Sequence, residues 1–303
     1  MAGRSGELRD AGLFGVVALV WGLNYVFVRV GLTLEPPLWL ATLRAGVGAL
    51  VLLPWMLTGR RNRTLSTRDL RDALAIGVPN TGIFFGLWFV AASSVPPGET
   101  AVLVYTFPLW VSLLAAPLLA ERPTASQLAA VALGFSGVVL VAEPWMAGPG
   151  ALAPAPVLEL LGGAAAWALG TVLFKRRFRG PTVFAANAGQ LTGGAIGLLG
   201  ASVVVGAPLA TGGGAPAILV VAWLGVLGTA LAYTIWFRLL DRFPASTLSG
   251  YTFLVPVVAL TASFLVLGER LVLWQVAGVG AILTAIYLNA RGSRAARDSE
   301  AAR

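Results

Sequence analysis

The chain has no cysteine and no histidine, and it is poor in charge. Without cysteine there is no disulfide and no thiol nucleophile. Without histidine there is no imidazole base, and with both absent a zinc site of the usual nitrogen and sulfur ligands is excluded. Charged residues make up 11% of the 303 residues, where a soluble domain carries about a quarter. No carboxylate falls at the centre of an apolar run, so an aspartate pair or a conventional proton relay has no members. These absences remove an intramembrane enzyme as a reading, and no cofactor is expected. What is present is apolar: 57% of residues are hydrophobic, with 37 glycines of the kind that let membrane helices approach closely.

Ten apolar runs are long enough to be helices, near 11–31, 37–58, 73–95, 99–120, 125–142, 156–174, 182–205, 215–238, 245–267 and 272–290. The run at 125–142 is the shortest. The first follows a short charged leader, is too long for a signal-peptide core and lacks a small-x-small cleavage site, so it reads as a retained helix. The net charge of +8 does not mark a nucleic-acid partner, because the cations sit in short loops between the apolar runs. With the N-terminus placed in the cytoplasm, inside segments hold 18 lysines and arginines and outside loops hold only Arg270. Arg29 and Arg44 lie within helices. Such a split follows the cost of translocating cations, and it puts both termini in the cytoplasm.

The chain also repeats itself. Gly77, Trp88, Pro96, Pro108, Glu121, Arg122 and Gln127 recur 148 residues later as Gly225, Trp236, Pro244, Pro256, Glu269, Arg270 and Gln275. At a spacing of 146, Trp21 and Arg29 match Trp167 and Lys175. Five helices per half is an odd number, so the halves enter the membrane from opposite sides. The expected fold is an all-α membrane protein of ten transmembrane helices in two inverted five-helix repeats, 11–142 and 156–290, separated by a Pro/Gly-rich stretch.

The Trp21-Gly22-x-Asn24 run, Arg44, and the two Pro-x12-Glu-Arg-x4-Gln blocks resemble the EamA-type carriers of the drug/metabolite transporter superfamily. The resemblance covers about residues 11–290. It implies a bacterial inner-membrane carrier, and the chain also looks like the YddG-type aromatic amino-acid exporters within that group. Two departures narrow the reading. The only lysine, Lys175, sits at a helix end, unlike the deep cations of sugar-phosphate carriers. No glutamate is embedded in the first helix, unlike the small multidrug carriers.

Candidate residues follow from polarity at depth and from proline. Asn24 is either a solute contact or a helix–helix hydrogen bond, and Trp21 lies beside it on one helix face. Asn80 and Phe84 share a face after Pro79, whose missing N–H bends a helix. Pro108 and Pro256 occupy matched kinks, preceded by Tyr105 and by Ser249 and Tyr251. Trp167, Thr171 and Tyr233 complete an expected pocket, with Pro79, Pro108 and Pro256 as kink or gating residues. Arg44 reads as a structural or gating charge paired with Glu35 or Glu159, or as a carboxylate ligand. Glu121 and Glu269 read as helix-end anchors. The expected function is export of amino acids or similar small metabolites by alternating access across the lipid bilayer. The alternatives are a lipid scramblase or a drug efflux carrier.

Overall fold

A computed structural model describes residues 2–57, 65–95, 97–121, 123–142, 153–209, 212–267 and 273–301. Glu269 lies outside the described residues. Among them there is no strand, and the helical segments join into ten consecutive rods. These are α1 (Ala2–Leu34), α2 (Pro37–Leu57), α5 (Ala125–Ala142), α6 (Pro154–Arg177), α7 (Val183–Val204) and α10 (Leu273–Ala301), with four interrupted rods between them. In α3 the helix Thr67–Gly77 runs through a π-helical stretch, Val78–Ile83, into Phe84–Ala92. In α8 the same happens over Gly214–Ala222, the π-helical Trp223–Leu231 and Ala232–Arg242. Both α4 (Pro97–Val104 and Phe107–Leu119) and α9 (Ala245–Tyr251 and Leu254–Leu267) are broken by two residues. Among the described residues, five spans, within α1, α2, α3, α6 and α8, are long and apolar enough to cross a membrane.

Several ends differ from the hydropathy reading. The third helix starts six residues early because Ser66 and Asp69 form a capping box, each side chain accepting from the other's backbone N–H. Its first turn is charged, so hydropathy hides it. Thr124 and Gln127 close the same reciprocal pair at the start of α5. The outward faces stay apolar. Leu50, Ile218 and Leu219 are each about two-thirds exposed or more, as expected of a surface that meets lipid rather than water.

The interruptions recur in register. The π-helical stretch at 78–83 has its counterpart at 226–231, inside the longer stretch of α8. Pro79 is not its cause, because Leu227 stands at the matched position and the widened turn forms there too. The two breaks also correspond to within one residue. At each, a threonine hydroxyl donates to the carbonyl three residues back, Thr106 to Leu103 and Thr252 to Ser249. Such a bond offers the backbone an alternative to continuing the helix. Pro108 then sits in the first turn of a new helix, where its missing N–H costs nothing. The expected proline kinks are therefore breaks closed by threonine, with proline favouring the restart.

The halves interlock. The π-helical part of α8 packs on α2, and that of α3 packs on α7. Each crossing is tight enough to require glycine. A Cβ on Gly77 would lie 1.9 Å from the Gln190 carbonyl oxygen, and one on Gly225 would lie 2.5 Å from Val47. Small residues at such crossings give membrane helices the packing contact that holds them together.

Candidate substrate cavity

A cavity lies where the two halves meet. It is lined from the first half by Trp21, Asn24 and Tyr25 of α1, Arg44 of α2, Phe84 and Trp88 of α3, and Val104 and Tyr105 at the α4 break. The second half supplies Trp167 of α6 and Tyr233 of α8. Its empty space is about 310 Å³ including the mouth, but the rings leave free room for little more than a water molecule. Trp167 is clamped face to face between Phe84, at 4.8 Å, and Phe107, at 3.7 Å. Trp21 meets the edge of Trp167 at 5.5 Å and of Tyr233 at 5.6 Å, and tilts against Trp236 at 5.4 Å. A solute larger than water needs these rings to part.

The polar groups of the wall are held from behind. Trp223 donates its indole N–H to Asn24 Oδ1 at 3.2 Å. An indole can only donate, so this bond fixes the amide orientation and leaves Asn24 Nδ2 without a partner. Asn24 also fills the space that Gly228 leaves, since a Cβ there would lie 2.6 Å from Oδ1. Arg44 Nε donates to Thr229 Oγ1 at 2.9 Å, and Nη2 donates to the Gly228 carbonyl at 3.3 Å. Both acceptors belong to the π-helical stretch, where widened turns leave carbonyls open to outside donors. The guanidinium carbon lies 4.2 Å from the centroid of the Phe85 ring. Arg44 is 1% exposed, and its Nη1 has no partner. Neither Glu35 nor Glu159 pairs with it among the described residues, so the expected salt bridge is absent. Burial in rings and two neutral acceptors take its place.

A second cavity, of about 260 Å³, shares Tyr25 and Trp88 with the first and reaches Arg29 and Thr100. The Tyr25 and Trp88 rings, 5.7 Å apart, stand between the two spaces.

Of the expected pocket residues, Trp21, Asn24, Phe84, Tyr105, Trp167 and Tyr233 meet at the cavity. Asn80 and Thr171 do not. Asn80 donates to Gln190 Oε1 at 3.1 Å, Thr81 donates to the same oxygen at 2.7 Å, and Thr171 donates to Asn80 Oδ1 at 3.3 Å. Gln190 continues to Asn187, and Asn187 to Thr234, so this network is satisfied within itself. Ser249 turns its hydroxyl to the Ser246 carbonyl, and Tyr251 packs on Phe14 at 5.6 Å. Thus, among the described residues, α9 contributes no wall, whereas α2 contributes Arg44. Away from the cavity, Glu121 pairs with Lys175 at 2.7 Å and accepts from the Ala245 N–H at the start of α9, also at 2.7 Å. A carboxylate at a helix N-terminus meets both open N–H groups and the positive end of the dipole.

This arrangement can be set beside known proteins. The model of the EamA-like transporter family matches residues 11–142 and again 155–291. The chain belongs to the EamA-like transporter family. A relative in Salmonella typhimurium, named a probable amino-acid metabolite efflux pump, is 30% identical over 95% of this chain and 97% of its own. An uncharacterized transporter of Bacillus subtilis, YvbV, is 29% identical over 93% of this chain and 92% of its own. A solved crystal structure at 19% identity shares the fold, with a TM-score of 0.78 over 94% of this chain and 98% of that one. Family membership and the apolar rods make the chain a multi-pass membrane transporter rather than an enzyme.

As an EamA-type chain it carries wall residues that sequence reasoning did not place there. Tyr25 shares the face of Trp21 at helical spacing, and Trp88 shares that of Phe84. That four-residue spacing is the signal in the sequence that points to both.

Proposed function

We propose that this transporter exports amino acids or related small organic metabolites across a bacterial inner membrane. Ten helices cross, both termini are cytoplasmic, and the two five-helix halves are inverted. The solute binds in the cavity between the halves and meets each side in turn. The observation that carries the reading is that cavity, walled by both halves, with aromatic faces for an apolar part and a few buried polar atoms to orient the solute. Relatives named as amino-acid metabolite efflux pumps support the solute class. The polar atoms face inward, away from lipid, which favours a solute carrier over a scramblase. Among the described residues no carboxylate lines the cavity, which supports movement down the solute gradient without a proton-carrying side chain there.

The test is counterflow in proteoliposomes. Vesicles loaded with an unlabelled amino acid should take up the labelled one without an imposed pH gradient. A panel of amino acids that never exchanges would overturn the solute class. Exchange that requires a pH gradient and stops with a protonophore would overturn the coupling. Lipid probes that flip while solutes stay put would favour the scramblase.

A further inference from the structure

The fully buried side-chain atoms of the cavity wall that lack a partner are all donors. Trp21 Nε1, Asn24 Nδ2, Arg44 Nη1, Trp88 Nε1 and Trp167 Nε1 are all buried donors without partners. Among the described residues no carboxylate lines the same space, and the side-chain acceptors there besides the bonded Asn24 Oδ1 are the neutral hydroxyls of Tyr25, Tyr105 and Tyr233. Indole N–H groups also go unpartnered elsewhere, at Trp39 and Trp110, so the indoles alone decide little. Arg44 and Asn24 decide more.

Arg44 has a built-in control. Its counterpart at the 146-residue spacing is Gln190, and both make the same crossing. Gln190 bonds to Thr81 in the π-helical stretch of α3, and Arg44 bonds to Thr229, the match of Thr81, in that of α8. A neutral amide therefore suffices to hold such a crossing. The charge of Arg44 is surplus to that role, and a buried cation without a counter-ion is strongly unfavourable. The rings of Phe85, Trp88 and Phe89 offset part of the cost through their faces. The remaining guanidinium donor and the Asn24 amide belong to residues that line the cavity.

We propose that this cavity recognises its solute by a carboxylate, with Arg44 as the anchor and Asn24 Nδ2 as a second donor. The inference rests on the reading of the cavity as a solute site, and it goes further. The amino group of an amino acid meets only neutral tyrosine hydroxyls there and no carboxylate among the described residues, so it is dispensable. The required features are an anionic carboxylate and an apolar part that fits between rings. Carboxylates without an amine belong to the substrate class, whereas amides and amines of the same shape do not. Arg29, on the second cavity beyond Tyr25 and Trp88, adds a further cation on the neighbouring space.

The probes are hydrocinnamate and its neutral amide, hydrocinnamamide, with phenylalanine and phenylalaninamide as a second pair. Binding to the purified full-length chain is read by tryptophan fluorescence and thermal shift. Each acid should bind at least about tenfold more tightly than its amide, the worth of a charge-assisted hydrogen bond. Arg44→Met should remove that preference, and Arg44→Lys should keep part of it. The preference is read within one protein, so a poorly folding variant leaves the wild-type comparison intact. Amides that bind as well as acids, a preference that survives in Arg44→Met, or no binding of either acid would each overturn the anchor. Counterflow separates the two levels. If amides exchange and acids do not, the transporter reading stands and the anchor falls. If nothing exchanges or binds, both fall.

Discussion

The two crossings, Gln190 on α3 and Arg44 on α8, are copies that have diverged. In both, a polar side chain from one half seats on a π-helical stretch of the other, over a glycine and against a threonine. An asparagine beside each crossing has changed places. Asn24 of α1 packs on Gly228 of α8, whereas at the second crossing Asn80 of α3 packs on Gly170 of α6. Gly228 is the match of Asn80, and Gly170 the match of Asn24, so each crossing keeps one amide and one gap. The difference lies in what is left over. Around Gln190 the donors and acceptors close on one another. Around Arg44 two donors remain open, both on the cavity wall. One copy is a joint, and the other is a joint that also presents chemistry.

This contrast breaks most sharply at the glycines. Gly77→Ala drives a methyl into backbone at the closed crossing, and backbone cannot swing aside. It should cost at least about 3 kcal/mol and leave little folded protein. Gly225→Ala meets Val47 Cγ1 at 2.5 Å and Val47 Cβ at 2.6 Å; the Cβ cannot turn away, but the overlap is smaller than the 1.9 Å contact with backbone at Gly77, and the change should cost less. Thermal unfolding in detergent ranks the two, and equal losses would mean the crossings are mechanically alike.

Removing the amide is the next largest effect. Gln190→Leu orphans Asn80, Thr81 and Asn187 together. One hydrogen bond in a membrane is worth only roughly 0.6 kcal/mol, but three stranded groups should cost about 2 kcal/mol or more. Transport should fall only in proportion to folded protein. A stable Gln190→Leu that no longer transports would place the closed network in the mechanism.

The threonines sharpen the contrast further. Thr81→Val leaves Gln190 bonded to Asn80 and should cost about 1 kcal/mol or less. Thr229→Val frees Arg44 Nε and lets the guanidinium shift, so counterflow should drop several-fold with little loss of stability. Equal effects on counterflow would erase the functional difference. The smallest effect belongs to the prolines. Pro108→Ala and Pro256→Ala leave the threonine-closed breaks in place, and each should change stability by less than about 1 kcal/mol. Counterflow reduced more than tenfold in either would make the proline itself the hinge.

Much of this architecture is legible in the chain. Apolar runs mark the rods, and the 148-residue register marks the copies. Helical spacing puts Trp21, Phe84 and Trp167 on faces that meet. The π-helical stretches escape notice because only one copy carries a proline, and their geometry depends on a partner helix. Asn80 and Thr171 look like ligand contacts because a buried amide or hydroxyl reads the same whether it faces a solute or a glutamine on another helix. Gln190, which decides the matter, is 110 residues away from Asn80. The sequence points Arg44 to an acidic partner or a carboxylate ligand because a buried cation calls for an anion. Its actual supports are a hydroxyl, a carbonyl and a ring, which no charge pattern reveals.

The most direct test makes one crossing a copy of the other. Arg44→Gln supplies the amide that already suffices at position 190, so the joint should hold and the unfolding temperature should stay within a few degrees of the parent. Counterflow of labelled phenylalanine in proteoliposomes should fall by about tenfold or more, as the charged donor is lost. Undiminished counterflow in Arg44→Gln would contradict the account, and so would collapse of the fold.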